Sequence, residues 1–160
     1  MKKLSELYNT LDDRLIKGIK INSKEIEPGD IFVCTMGVTA DRHDFIDEAI
    51  KNGASAIVVS RDVGEKSVPV IKVDDTNLEL RKLTAKFYDY PCNSLYMIGV
   101  TGTNGKTTVA EIIYQLLGEN CAYIGTNGKK YKGKKESIRN TCPDVDRLYK
   151  YFKEFIDNGC

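Results

Sequence analysis

Apolar residues along this chain fall into two recurring patterns, unbroken runs and stripes of helical period. Asp30–Cys34 (DIFVC), Ala56–Ser60 (AIVVS) and Val68–Val73 (VPVIKV) are mostly apolar runs of strand length. Such runs suit strands buried on both faces of a parallel sheet. Lys20-Ile21 reads as a further short strand, and Pro28-Gly29 as a turn that launches the Asp30 run. Stripes lie between these runs. Leu4–Leu11 reads as a short helix. Phe45, Ile46, Ala49 and Ile50 share one face behind a capping Asp44 and ahead of a stop at Gly53. Leu80, Leu83, Thr84 and Phe87 form the stripe of a helix opened by the capping box Thr76-x-x-Glu79 and ended by Pro91. Alternation of strands and helices predicts an α/β layered fold.

The pattern is interrupted at Tyr90–Ser94, where Pro91, Asn93 and Ser94 break the helical period. We therefore expect one domain over 1–93 and a second over 94–160. The second opens with an apolar run, Leu95–Val100, predicted as a strand. A helix with Val109, Ile112, Ile113 and Leu116 on one face follows, and then a short strand at Cys121–Gly125. The last helix takes Pro143 as its first residue, carries Val145, Leu148, Tyr149, Phe152 and Ile156 on one face, and stops at Gly159. Two amphipathic helices with so few strands leave one side of this layer uncovered, so a chain ending here is expected to be a fragment with little or no catalytic activity alone.

The pentapeptide Gly-Thr-Asn-Gly-Lys occurs twice, as GTNGKTT at 102–108 and as GTNGKKY at 125–131. The flanks of the first copy suit an anion. Glycines let backbone N–H groups converge, the following helix adds its orphan N–H groups and positive dipole end, Lys106 supplies a mobile charge, and the Thr107 hydroxyl is a hard donor for Mg²⁺. This favours a nucleotide triphosphate site over an ordinary strand-to-helix turn. The glycine spacing is shorter than in the common phosphate loop, since Val100 stands where that pattern has glycine. In the second copy Lys130 replaces the hydroxyl residue and no amphipathic helix follows. Asn127-Gly128 favours a hairpin turn over a phosphate contact. The lysines after it (Lys129, Lys130, Lys132, Lys134 and Lys135) read as a solvated hairpin face, so Lys129→Ala is expected to change little.

Composition adds constraints. The net charge of +1 gives no whole-molecule field for nucleic acid or membrane, and no apolar run is long enough to span a bilayer. With no signal-like segment at the start, a cytoplasmic protein without nucleic-acid or membrane partners is expected. The five cysteines are scattered and odd in number, which suits reduced thiols, and a single histidine leaves little for a Cys/His zinc site.

GVTGTNGKTT at 99–108 resembles the ATP loop of the Mur ligases, and PGDIFVCTMGVTADRHDFIDEAIKNGASAIVV resembles their N-terminal UDP-binding domain. FYDYPCNSLYMIGVTGTNGKTT and the NTCPD stretch are similar to the MurE-type branch, which acts on UDP-N-acetylmuramoyl-L-alanyl-D-glutamate. The resemblance implies a small N-terminal α/β UDP-binding domain followed by the first part of a P-loop α/β domain. It also implies an ATP-dependent ligase of peptidoglycan synthesis. There the γ-phosphate passes to the D-glutamate side-chain carboxylate, and a diamino acid amine displaces it.

Carried over by position, Gly102, Thr103, Asn104, Gly105, Lys106, Thr107 and Thr108 would hold ATP. Lys106 would act catalytically on the transferring charge, and Thr107 would help hold Mg²⁺. Ser23, Val38, Thr39, Ala40, Asn140, Thr141 and Cys142 would bind the UDP-sugar. Ser23 also suits a turn or cap, and Thr141 could cap the last helix. Three positions depart from the family pattern. Asn22-Ser23-Lys24 replaces Asp-Ser-Arg, Arg42 replaces a glycine and would strain the loop if that glycine had positive φ, and Cys142 replaces a threonine. His43 reads as structural.

Overall fold

The structure, a computed structural model, describes residues 1–37, 41–138 and 140–160. It contains two compact units, Met1–Asp89 and Tyr90–Cys160. The break falls at the N-terminal edge of the Tyr90–Ser94 segment, where Asp89 and Tyr90 both take positive φ (60° and 53°).

The first unit begins with β1 (Lys2–Lys3) and α1 (Leu4–Leu7), followed by β2 (Leu15–Ile16), which pairs antiparallel with β1. The helix expected to reach Leu11 thus stops after one turn. Leu11 is fully exposed, so nothing apolar holds a longer helix in place. Next come β3 (Gly18–Lys20), β4 (Asp30–Val33), α2 (Ile46–Lys51), β5 (Ala56–Val59), β6 (Val70–Lys72) and α3 (Thr76–Phe87). The strands form one parallel sheet in the order β3-β4-β5-β6, with Phe32 opposite Ile57 and Val33 opposite Val58. Ile31, Phe32, Val33, Ile57, Val58 and Val59 are all inaccessible to solvent. Their unbroken apolar runs are what a sheet buried on both faces requires. One face places Phe32, Cys34, Ile57 and Val59 against Ile46 and Ala49 of α2, and this burial lifts the Cys34 thiol to about 12.

Both predicted helix caps in this unit are displaced. Asp44 caps nothing. Asp41 instead accepts from the His43 N–H ahead of a short 3-10 turn, Arg42–Phe45, that leads into α2. Asp75, not Thr76, caps α3, accepting from the N–H groups of Asn77 and Leu78. The Thr76 hydroxyl donates to the Cys34 carbonyl at 2.8 Å and ties α3 to the end of β4. The stripe Leu80, Leu83, Thr84 and Phe87 is buried as the period predicts.

The second unit holds α4 (Lys106–Leu117), the antiparallel strands β7 (Ala122–Gly125), β8 (Gly128–Tyr131) and β9 (Lys134–Glu136), and α5 (Val145–Asp157). Phe152 and Phe155 of α5 pack on Tyr131, with Leu95, Ala122 and Ile124 around them. Helix α5 starts two residues beyond Pro143 and is preceded by Asp144 as N-cap, so neither Pro143 nor Thr141 takes the position expected of it.

Residues 96–100 of the run Leu95–Val100, predicted as a strand, belong to no strand, and Tyr96, Met97 and Ile98 are 94%, 53% and 50% exposed. A strand exists only through hydrogen bonds to a neighbour, and among the described residues no strand pairs with this run. The apolar face of α4 is likewise open, with Leu116 81% exposed.

The second GTNGK builds the β7–β8 hairpin. Thr126 and Asn127 occupy the turn, one residue earlier than the Asn-Gly signal suggested, and Gly125 pairs with Gly128, which carries a positive φ (98°). A Cβ at Gly128 would collide with the Glu136 carbonyl oxygen.

The lysine-rich face is not simply solvated. Lys129 is buried, with its ammonium 2.6 Å from Glu154, 3.0 Å from Glu136 and 4.7 Å from the Tyr151 ring centre. Tyr131 also donates to Glu154. Lys130 pairs with Glu111 of α4 at 2.5 Å, and Asn127 donates to the same carboxylate at 2.9 Å. The hydrogen bond from Lys130, then that from Asn127, holds the Glu111 carboxyl below its ordinary 4.5. For Glu154, burial works upward, but the hydrogen bonds from Lys129 and Tyr131 prevail and hold it low as well.

A carboxyl with a depressed folded pKa contributes stability above its unfolded value and loses it as pH falls through the folded one. The urea midpoint of this unit is therefore expected to be flat from about pH 7 to about pH 5 and to fall below about pH 4.5. A midpoint that rises on acidification would contradict these pairings.

Candidate functional site

The first GTNGK copy sits where a chain without regular pairing meets a helix. Gly105 is the N-cap of α4 and is left-handed (φ 79°), and Gly102 also has positive φ (146°). Side chains resist this backbone, so both glycines are needed for the bend itself. The first N–H groups of any helix have no partner within it. Here they belong to Lys106, Thr107 and Thr108, at a solvent-exposed bend. The positive end of the helix dipole adds to them, an arrangement suited to receiving an anion.

The Lys106 ammonium folds back over the loop, donating to the carbonyls of Gly102 at 2.5 Å and Thr103 at 3.0 Å. Its charge is thus held beside the glycine bend, where carbonyl oxygens can be exchanged for phosphate oxygens. Thr103 and Asn104 are exposed in the same bend. Thr107 follows Lys106 in the first turn of α4, so its hydroxyl fits Mg²⁺, which commonly takes few protein ligands and keeps phosphate oxygens and water. No group of three or more His, Cys, Asp or Glu gathers among the described residues.

The residues expected at a UDP-sugar are divided between the units. Ser23 lies in the first, buried at the start of the short 3-10 turn Ser23–Glu25. Its hydroxyl donates to Glu48 of α2 at 2.5 Å, and its carbonyl accepts from Asn52 at 2.9 Å. Glu48 was not anticipated: Ser23 and Glu48 lie 25 positions apart and only the fold brings them together. Val38, Thr39 and Ala40 lie outside the described residues. The segments flanking them are pinned by the Met36–Asp41 bridge, by Arg42 N–H to the Thr35 carbonyl at 3.3 Å, and by the Arg42 guanidinium on the Thr35 hydroxyl at 2.7 Å. Arg42 has no positive φ, so the strain considered at this position does not arise.

His43 is sealed inside. Its Nδ1 is 2.5 Å from Asp41, and its Nε2 accepts the Ser60 N–H at 3.1 Å. Both ring nitrogens are used in joining this loop to the end of β5, a structural role. In the second unit Asn140, Thr141 and Cys142 form an exposed bend ahead of α5.

Comparison with known proteins gives matches along most of the chain. Residues 15–88 match the model described as "Mur ligase family, catalytic domain", and residues 100–160 match "Mur ligase middle domain". A UDP-N-acetylmuramoyl-L-alanyl-D-glutamate–2,6-diaminopimelate ligase from Oceanobacillus iheyensis is 41% identical over 95% of this chain and 33% of its own length. The chain thus spans about a third of the length of the curated relatives it matches. The crystal structure of a MurF ligase from Thermotoga maritima in complex with ADP is 38% identical, with a TM-score of 0.52 over 67% of this chain and 24% of that one. A solved UDP-N-acetylmuramoyl-L-alanyl-D-glutamate–2,6-diaminopimelate ligase, 20% identical, has the same fold over all of this chain and 34% of its own, with a TM-score of 0.73.

Proposed function

The chain belongs to the Mur ligase family, and from that premise we propose that it forms the N-terminal and nucleotide-binding portion of an ATP-dependent, ADP-forming ligase. That ligase adds a diamino acid to UDP-N-acetylmuramoyl-L-alanyl-D-glutamate in peptidoglycan synthesis. The observation that carries the reading is the glycine bend at Gly102–Gly105 opening onto α4, with the Lys106 ammonium folded against it. The relative similar across 95% of the chain is named for this third-residue addition, which favours it over the sibling reaction of the ADP-bound ligase, matched over 67%.

In this reading the N–H groups at the start of α4 and the Lys106 ammonium receive the ATP phosphates. They neutralise charge on the γ-phosphoryl group as it passes to the D-glutamate side-chain carboxylate, forming an acyl phosphate. Attack by the diamino acid amine then releases phosphate. Phosphoryl transfer needs little covalent chemistry from the protein, so positioning and charge stabilisation are the main contributions. Mg²⁺, held in part by Thr107, supplies further neutralisation when bound. Ser23, Val38, Thr39, Ala40, Asn140, Thr141 and Cys142 contact the UDP-sugar, the first four from the first unit.

Calorimetric titration of the chain with ATP·Mg²⁺ and, separately, with UDP-N-acetylmuramoyl-L-alanyl-D-glutamate tests this. Heat from both is expected. Silence with both ligands on a folded chain would overturn the assignment. ATP- and amino-acid-dependent phosphate release by these 160 residues would overturn the expectation that they are catalytically incomplete.

A further inference from the structure

We propose that Glu48 fixes the Ser23 hydroxyl as a hydrogen-bond acceptor, so that this position meets a donor group of the nucleoside and not the diphosphate. This rests on the reading of Ser23 as a UDP-sugar contact. The donor is either the uracil imide N–H or a ribose hydroxyl.

A serine hydroxyl has one proton and two lone pairs, whereas a carboxylate oxygen only accepts. The Ser23 proton is directed at Glu48 Oε2, 2.5 Å away. The Ser23 carbonyl is engaged as well, by the Asn52 amide. With the residue only 5% exposed, the side chain has little room to reorient, and what it offers a ligand is a lone pair on Oγ. A diphosphate carries acceptors and no donors, so it cannot use that lone pair.

Charge points the same way. Among the described residues no lysine or arginine forms an ion pair with Glu48. A phosphate beside Ser23 would face this carboxylate at short range, and like charges repel most strongly where water is excluded. A neutral base or sugar faces no such penalty. Glu48 is thus a positioning residue that acts on the ligand through Ser23.

The test is calorimetry of the 160-residue chain with UDP, N3-methyl-UDP, 2′,3′-dideoxy-UDP and pyrophosphate, with folding of each variant checked by circular dichroism. The wild-type chain is expected to bind UDP and to bind one of the two analogues about 5–10-fold more weakly, the worth of one hydrogen bond. Which analogue suffers identifies the donor. Ser23→Ala should erase that penalty. Glu48→Gln should keep it, because the amide oxygen still accepts the Ser23 proton. Glu48→Lys, a donor only, should occupy one Oγ lone pair and turn the proton outward, and so reduce it.

The proposal is overturned if Ser23→Ala weakens UDP binding but retains the analogue penalty, or if it weakens pyrophosphate as much as UDP. It is also overturned if a folded Glu48→Lys discriminates as the wild type does. Each of these results leaves the UDP site standing. Absence of UDP binding by the folded wild-type chain removes the site and the proposal together. Should Glu48→Lys fail to fold, Glu48→Ala takes its place: without an acceptor beside it the Ser23 hydroxyl is free to turn its proton to the ligand, so an analogue penalty equal to the wild type's would overturn the role of Glu48.

Discussion

Lys129→Ala is expected to destabilise the Tyr90–Cys160 unit by about 2–3 kcal/mol. Sequence reasoning pointed the other way, to a solvated lysine whose loss would matter little. The Lys129 side chain is 3% exposed and is held by Glu154 and Glu136, with the Tyr131 and Tyr151 rings beside its ammonium. Burial works against the charge, yet the hydrogen bonds to the two glutamates outweigh it and raise the ammonium's pKa above its ordinary 10.5. Removing the lysine leaves Glu154, beside the Phe152–Phe155 core, with the Tyr131 hydroxyl as its side-chain hydrogen-bond donor among the described residues and the weaker charge of Lys134. Breaking a buried pair from one side costs about 3–5 kcal/mol. Glu154 is 29% and Glu136 52% exposed, and water there reduces the cost. Urea unfolding followed by tyrosine fluorescence reads the change, since the chain has no tryptophan and seven of its nine tyrosines lie in this unit. A shift below about 0.5 kcal/mol, typical of an exposed ion pair, would show that the cluster is ornamental.

Lys106→Ala is expected to weaken ATP·Mg²⁺ binding by the chain about tenfold or more, and to lower turnover of a ligase containing it by roughly 10²-fold or more. The ammonium is the one side-chain charge hydrogen-bonded to the Gly102–Thr103 segment among the described residues. Backbone N–H groups would still bind phosphate without it, but the charge developing on transfer would be less well met. Binding of UDP-N-acetylmuramoyl-L-alanyl-D-glutamate should persist, because Ser23 lies in the other unit. Calorimetry with the two ligands separates these effects. Equal loss of both affinities would refute the division of labour.

The two copies of one pentapeptide illustrate how far local reading reaches. Their different backbones were legible because the flanks decide them. Lys-Thr-Thr-Val opens a helix after Gly105, while Lys-Lys-Tyr continues a strand after Gly128. The task of the second copy was not legible, because Asn127 and Lys130 meet Glu111 from 16 and 19 positions away. Likewise Asp44 and Thr76 looked like caps by local rules, and a neighbouring aspartate took each role once the chain packed.

The apolar runs and stripes by themselves determined the parallel sheet and its covering helices, and two glycines the bend before α4. These depend on periodicity and on the backbone freedom of a few residues, both written locally. Only the tertiary structure decided that Lys129 is buried, that Ser23 gives its proton to Glu48, and that the apolar run at 96–100 forms no strand. Those outcomes depend on which distant groups arrive beside a side chain or a backbone. Burial, hydrogen-bond direction and strand pairing are all properties of two partners, and one stretch of sequence specifies only one of them.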